Sequence, residues 1–280
     1  MKNFLKELTP PLVINLYRKI FGTKKEADGN INNNVNAWTG NYSSWQEAKD
    51  HTRGYDDKEI LEKCKNALLK IKNGEAKYER DSVLFDEIGY SWPLMAALQR
   101  CAIENNNCLS VLDFGGSFGT TYFQSKNFLA SQVNVSWHIV EQKNFVEEGK
   151  KYFENDTLLF HDTIEDVLKT HRINCLLLSS VLPYLPDPYV WIEKFIGLRI
   201  ESILIDRTSF IDDGDRLTIQ NVPDSIYSAS YPCWFFNKNN FLSRFNNNYE
   251  LIVEFEDSFT PDQIIDGKRC TWKGFFFKIR

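Results

Sequence analysis

The sequence predicts an α/β fold: a seven-stranded, mostly parallel sheet with an antiparallel last strand, preceded by a helical layer. Three observations carry this. From Leu109 onward, short β-branched or leucine-rich runs alternate with helical segments, the pattern of a parallel sheet covered on both faces. The first such run ends in a glycine-rich turn, Gly115-Gly-Ser-Phe-Gly119, that opens a helix. The last two runs are joined by loop sequence with no room for an obvious crossover helix, so they should pair antiparallel at one edge.

The predicted strands are 109–114, 135–141, 157–161, 174–179, 202–206, 251–256 and 274–279. Ahead of them, Ser44-x-x-Glu47 is a capping-box pattern opening a short helix. Asp56 or Asp57 can cap a longer one, whose apolar face is Ile60, Leu61, Cys64, Leu68 and Ile71. Gly74, after Lys70 and Lys72, suits its end. A further apolar helix runs from Leu94 to about Glu104. The chain therefore divides into a basic N-terminal segment with a linker (1–36), a helical layer on the substrate side (37–107) and a sheet domain (108–280).

Composition narrows the function. The chain has 280 residues, 42% hydrophobic and 25% charged, a globular profile. A net charge of −5 argues against a protein that tracks a phosphate backbone, which usually leaves a basic footprint, so nucleic acid is not the expected partner. The six cysteines form no C-x-x-C pair and no zinc-like spacing, so no metal is expected, and reduced buried thiols point to a cytoplasmic compartment. No run of 18 apolar residues exists.

Residues 1–25 carry six cations and one acid, so the remainder of the chain holds about −10. Pro11 followed by Leu12, Val13, Leu16, Tyr17 and Ile20 fits a short basic amphipathic helix. Such a helix either rests on an anionic membrane surface, as a peripheral contact at the inner membrane, or packs on its own domain. The asparagine-rich stretch 26–36 reads as a flexible linker.

The chemistry concentrates at the ends of the predicted strands. In Val111-Leu-Asp113-Phe-Gly115-Gly116-Ser117-Phe-Gly119, glycines let the backbone turn sharply and approach a ligand closely. Dinucleotide sites use related spacing, so charge must decide between cofactors. No Lys or Arg occurs from Val111 to Gln124, and Asp113 would meet a pyrophosphate as a like charge. S-adenosylmethionine carries no phosphate and brings an ammonium and a sulfonium. A carboxylate at Asp113 can pair with its amino-acid end, directly or through water, while loop N–H groups bind its carboxylate. Glu141, closing the second strand, can accept both ribose hydroxyls. It lies 28 residues beyond Asp113, against roughly 20 in the dinucleotide fingerprint.

Asp162 ends the third strand, where it can accept the adenine amino group or cap the following helix; His161 beside it reads as packing. Ser179, Ser180 and Tyr184 follow the fourth strand, in a proline-punctuated loop that should border the transferred group. Asp206-Arg207 ends the fifth strand, so Asp206 is a candidate general base or half of an ion pair. Asp206 and Tyr184 are the catalytic candidates. Residues 220–236 form an aromatic insertion containing Tyr231 and Trp234, expected as a lid or substrate wall, or as a packed flap.

From Trp38 to Lys278 the chain resembles a family of class I methyltransferases found among bacterial O-antigen, capsule and other surface-polysaccharide biosynthesis proteins. The stretches that carry the resemblance are Tyr78-Glu-Arg-Asp-Ser-Val-Leu-Phe-Asp86, Tyr90-Ser-Trp-Pro93, Leu112-Asp-Phe-Gly-Gly116, Val140-Glu-Gln142, Leu178-Ser-Ser-Val-Leu182 and Ala229-Ser-Tyr-Pro-Cys-Trp234. The resemblance implies a Rossmann-like methyltransferase fold, S-adenosylmethionine as cofactor and a glycan acceptor. Ser117 stands where the middle glycine of G-x-G-x-G is usual.

The cofactor candidates are therefore Asp113, Gly115, Gly116, Ser117, Gly119, Glu141, Asp162 and Ser179. Acceptor candidates are Tyr78, Arg80, Asp81, Asp86, Tyr231 and Trp234. Two other readings stay open: a non-catalytic scaffold of the same fold in a polysaccharide assembly, and a nicotinamide-dependent oxidoreductase. The latter lacks a phosphate-friendly first loop.

Overall fold

A computed structural model describes residues 37–52, 58–222 and 229–280. The basic segment 1–25, the linker to 36, the capping acids Asp56 and Asp57, and the middle of the aromatic insertion lie outside the described residues.

In chain order the strands are β1 (Trp38–Tyr42), β2 (Tyr78–Arg80), β3 (Val83–Phe85), β4 (Cys108–Phe114), β5 (Asn134–Val140), β6 (Leu158–His161), β7 (Cys175–Ser179), β8 (Ser202–Ile211), β9 (Arg216–Asn221), β10 (Ser230–Phe235), β11 (Tyr249–Glu256), β12 (Gln263–Ile265) and β13 (Lys268–Ile279). The helices are α1 (Trp45–Asp50), α2 (Lys58–Lys72), α3 (Trp92–Glu104), α4 (Thr120–Ser125), α5 (Lys143–Tyr152), α6 (Ile164–Thr170), α7 (Pro188–Gly197) and α8 (Lys238–Ser243), with a 3₁₀ turn at Leu182–Tyr184.

The main sheet runs β11-β13-β8-β7-β4-β5-β6, and short β12 adds to β13. Neighbours from β6 to β8 are parallel, and β13 is antiparallel to both β8 and β11. This is the Rossmann order over five strands, with an antiparallel pair where a sixth parallel strand would stand. It is the class I methyltransferase arrangement, a mixed and mostly parallel seven-stranded sheet with one antiparallel strand. β4, β7 and β8 read as unbroken apolar runs because both faces of the sheet are covered; Val111, Leu112, Leu176 to Leu178 and Ile203 to Ile205 are essentially inaccessible. One face packs on α2 to α5, the other on α6 to α8. At the amino-terminal rim, Asn174 accepts from the Ser110 N–H at 3.0 Å and donates to the Cys108 carbonyl at 2.9 Å, which pins β7 to β4.

Helix ends follow local chemistry. Ser44 caps α1 by accepting from the Glu47 N–H at 3.2 Å, but the Glu47 carboxylate bonds the Ser43 N–H and hydroxyl rather than the Ser44 N–H. The capping box is thus displaced by one residue. Gly74, at φ +77°, follows the end of α2 as expected.

The structure departs from the expected layout in three places. The layer ahead of the sheet is not wholly helical: β1 joins a separate sheet β1-β9-β10, and β2 and β3 form a hairpin. That hairpin turns on Asp81 (φ +51°) and Ser82 (φ +67°), a primed turn made without glycine. The aromatic insertion is largely sheet, with β9 and β10 paired antiparallel from Arg216–Phe235 to Asn221–Ser230. Lastly, β8 continues past Asp206 to Ile211, against the far end of β13. Arg207 takes a left-handed φ of +52° there, and the polar Thr208 and Ser209 stay fully buried; the Ser209 hydroxyl donates to the Trp234 carbonyl at 2.7 Å.

Among the described residues, no helix is long and apolar enough to cross a membrane.

Candidate functional site

The strand order reverses at β4, which has β5 on one side and β7 on the other, so a crevice opens beyond the carboxyl ends of these strands. The glycine turn sits there. Gly115, Ser117 and Gly119 all have positive φ, at +74°, +52° and +102°. The Gly115 N–H bonds the Val140 carbonyl at 2.9 Å, and the Gly119 N–H bonds the Gly116 carbonyl at 2.9 Å, closing the turn ahead of α4. A Cβ on Gly115 would lie 2.5 Å from Val181, and one on Gly116 would lie 2.5 Å from the Asp113 carboxyl carbon. The turn therefore needs glycine both for conformation and for close approach.

Asp113 points inward beneath this turn. It is 1% exposed and accepts from the Trp137 indole N–H at 2.9 Å. Burial pushes its carboxyl up to about 7, with Glu141 adding to the effect and the Trp137 bond opposing it. Glu141 follows the end of β5, half-buried, and accepts from its neighbour's Gln142 N–H at 2.7 Å; the Ser117 N–H also bonds it. Burial raises its pKa too. Two acids thus lie at the glycine turn, Glu141 at its border and Asp113 beneath it, and burial raises the pKa of both.

Asp162 is exposed directly after β6. The cap of α6 is not Asp162 but Thr163, whose hydroxyl accepts from the Asp166 N–H at 3.1 Å; only Thr163 stands at the helix boundary. His161 packs with His138 and His171 on the sheet face, its Nε2 lying 3.1 Å from His138 Nδ1.

A second group of candidates meets in a narrow cleft of about 20 Å³ lined by Tyr78, Arg80, Thr120, Ser179, Asp206 and Phe259 among others. Ser179, at the end of β7, is the register partner of Asp206 within β8. Arg80 comes from the β2–β3 hairpin and reaches Thr260 Oγ1 at 3.0 Å and Asp257 Oδ2 at 3.8 Å. Its guanidinium lies 4.8 Å from the Phe259 ring centre. Asp81 lies outside the cleft, exposed, and pairs with Arg207 at 2.7 Å. Asp206 lines the cleft together with Arg207, whose side chain pairs with Asp81. Burial, reinforced by Asp257, pushes the Asp206 carboxyl up to about 6 against the pull of Arg207 and Arg80.

The aromatic candidates separate. Tyr184 donates to Gln220 Oε1 at 2.8 Å and meets Tyr231 edge-on, with ring centres 5.3 Å apart. Trp234 stands three residues along β10 from Tyr231, hence on the opposite face, and packs with Ala48, Leu217 and Ile219. It cannot share a wall with Tyr231. Asp86 is exposed after β3 and does not line the cleft.

Sequence reasoning missed Glu79 and Asp257, both about 5% exposed. Glu79 joins the hairpin to the start of α4, just after the glycine turn, by accepting from the Thr120 hydroxyl and from the Ser82 N–H; burial pushes it up to about 7. A separate cavity of about 280 Å³, lined by Phe210, Lys238, Arg269 and Lys273 among others, has its cations engaged: both lysines contact Glu254 and Arg269 contacts Asp262.

No protein-family model and no curated protein matches the chain in sequence. Solved structures resemble it at low identity. The N-terminal domain of EvdMO1, in the presence of SAH and D-fucose, is 13% identical, with a TM-score of 0.46 over 81% of this chain and 100% of that one. A S-adenosylmethionine-dependent methyltransferase from Clostridium acetobutylicum is 10% identical, with a TM-score of 0.42 over 68% of this chain and 92% of that one. CalS10, an amino pentose methyltransferase from Micromonospora echinaspora, is 10% identical, with a TM-score of 0.42 over 69% and 93%. At such distances the likeness concerns the fold alone, and the full order β11-β13-β8-β7-β4-β5-β6, with β13 antiparallel, is what distinguishes the class I methyltransferase fold from a dinucleotide-binding sheet.

Proposed function

We propose that this chain is an S-adenosylmethionine-dependent methyltransferase acting on an oxygen or nitrogen of a sugar or glycan precursor in cell-surface polysaccharide biosynthesis. One observation carries the reading: at the point where the strand order reverses, a glycine turn free of Lys and Arg is bordered by Glu141 and backed by Asp113. A diphosphate would bring two or more negative charges against these carboxylates; a phosphate-free, positively charged nucleoside brings none.

In this reading the backbone of Gly115 to Gly119 lies against the nucleoside, Glu141 accepts the ribose hydroxyls and Asp162 the adenine amino group. Asp113 holds the turn's shape through Trp137. S-adenosylmethionine supplies an activated methyl on a sulfonium that is already a good leaving group. The protein's task is then chiefly alignment of an acceptor atom in line with that bond. Ser179, at the end of β7, borders the transfer position, and Tyr184 with Tyr231 forms an aromatic wall suited to the apolar face of a sugar ring. The sugar acceptor is further supported by the sequence resemblance across Tyr78–Asp86 and Ala229–Trp234.

Methyl-labelled S-adenosylmethionine incubated with a panel of sugar nucleotides and lipid-linked sugars tests the proposal. Label is expected in a sugar product. Binding of the cofactor with no transfer across the panel would favour a scaffold instead.

A further inference from the structure

Arg80 and Asp206 are each 4% exposed, and each keeps one polar atom with no hydrogen-bond partner: Arg80 Nη1 and Asp206 Oδ1. Both side chains line the same cleft. A buried donor and a buried acceptor of opposite charge, left open in one cleft, cost the fold free energy unless a ligand completes them. The cleft's other walls fix which part of a ligand that is. Thr120 and Thr121 are the first residues after the glycine turn, and Ser179 ends β7 beside β4. A molecule whose nucleoside lies over the glycine turn points its far end here.

Resting on the cofactor reading above, we infer that Arg80 and Asp206 form the clamp for the α-amino acid end of the cofactor, Arg80 taking its carboxylate and Asp206 its ammonium. A zwitterion completes both open atoms while adding no net charge to the cluster of Arg80, Arg207, Asp81, Asp206 and Asp257. A phosphate would satisfy Arg80 and confront Asp206; a lone hydroxyl would satisfy Asp206 and leave Arg80 open. Asp113, the sequence's own candidate for the ammonium, is spent on Trp137 and closed off beneath Gly116. Asp206 thus acts as an anchor rather than as a base.

The inference separates two ligands that share a nucleoside. S-adenosylhomocysteine has the amino acid end, and 5′-methylthioadenosine lacks it. Titration calorimetry on the full chain is expected to show S-adenosylhomocysteine bound at least 100-fold more tightly, on the scale of two charge-assisted bonds. Arg80→Met and Asp206→Asn should each shrink that preference tenfold or more with the affinity for 5′-methylthioadenosine unchanged, which also reports that the variant is folded. Asp113→Asn should change both affinities by one common factor. If both ligands bind and the two variants keep the full preference, the clamp is wrong and the cofactor reading stands. If neither ligand binds the unaltered protein, the cofactor reading itself falls. Should Arg80→Met lose 5′-methylthioadenosine as well, the near-isosteric Asp206→Asn decides alone, and its loss of both ligands makes the pair structural and overturns the clamp.

Discussion

The Trp137 indole reaches across from β5 to donate to Asp113 on β4 at 2.9 Å, and this bond holds the acid inside the protein rather than toward the crevice. Removing the donor leaves a buried carboxyl short of a partner. Trp137→Phe keeps most of the apolar volume and is expected to cost about 1–3 kcal/mol in urea unfolding at pH 8. Little change would mean that the bond contributes nothing to the turn's support.

Asp113 also sets a pH dependence. Its folded pKa, about 7, lies above the ordinary carboxyl value near ~3.9, so the folded state binds the proton more tightly. The stabilisation from protonation is present at low pH and is lost as pH rises from about 4 to about 7. Asp113→Asn should therefore lose less stability between pH 5 and pH 8 than the unaltered protein, by on the order of 2 kcal/mol. Parallel stability curves for the two proteins would show that Asp113 does not titrate in that range.

Gly116 leaves no room for a side chain above the Asp113 carboxyl. Gly116→Ala is expected to destabilise the fold by about 1–3 kcal/mol, as overpacking does, and to abolish measurable binding of S-adenosylhomocysteine. Unchanged affinity in the folded variant would show that the turn is not in contact with the nucleoside.

Asn174 fastens β7 to β4 at the rim opposite the crevice. Asn174→Ala should lower stability by about 1–3 kcal/mol, because it strips a side-chain partner from two strand backbone groups, and should leave nucleoside affinity within about twofold. Thermal unfolding and calorimetry on the same preparation separate the two effects.

How much of this was legible in the sequence depended on whether chemistry was local. Val111, Leu176 to Leu178 and Ile203 to Ile205 announce strands buried on both faces, and Gly115 to Gly119 announces a turn, because each lies within one short segment. The β2–β3 hairpin was hidden, since Asp81 and Ser82 take positive φ without the glycine that usually marks such a turn. β9 and β10 were hidden by polar and aromatic residues that read as a loop, although Thr218 is fully buried with its hydroxyl on the Cys233 carbonyl. The site divided in the same way. Asp113 and Glu141 were found at strand ends, whereas the meeting of Arg80 with Asp206 joins residues 126 apart, and no spacing rule brings them together. Tyr231 and Trp234, both acceptor candidates of the sequence, lie on opposite faces of β10, since three residues along a strand reverse the face.

Titration calorimetry with S-adenosylhomocysteine and NAD, run side by side on the full chain, tests the central claim most directly. Heat and saturation with S-adenosylhomocysteine and none with NAD are predicted, because the glycine turn holds no Lys or Arg to meet a diphosphate. Saturable NAD binding with no response to S-adenosylhomocysteine would contradict it.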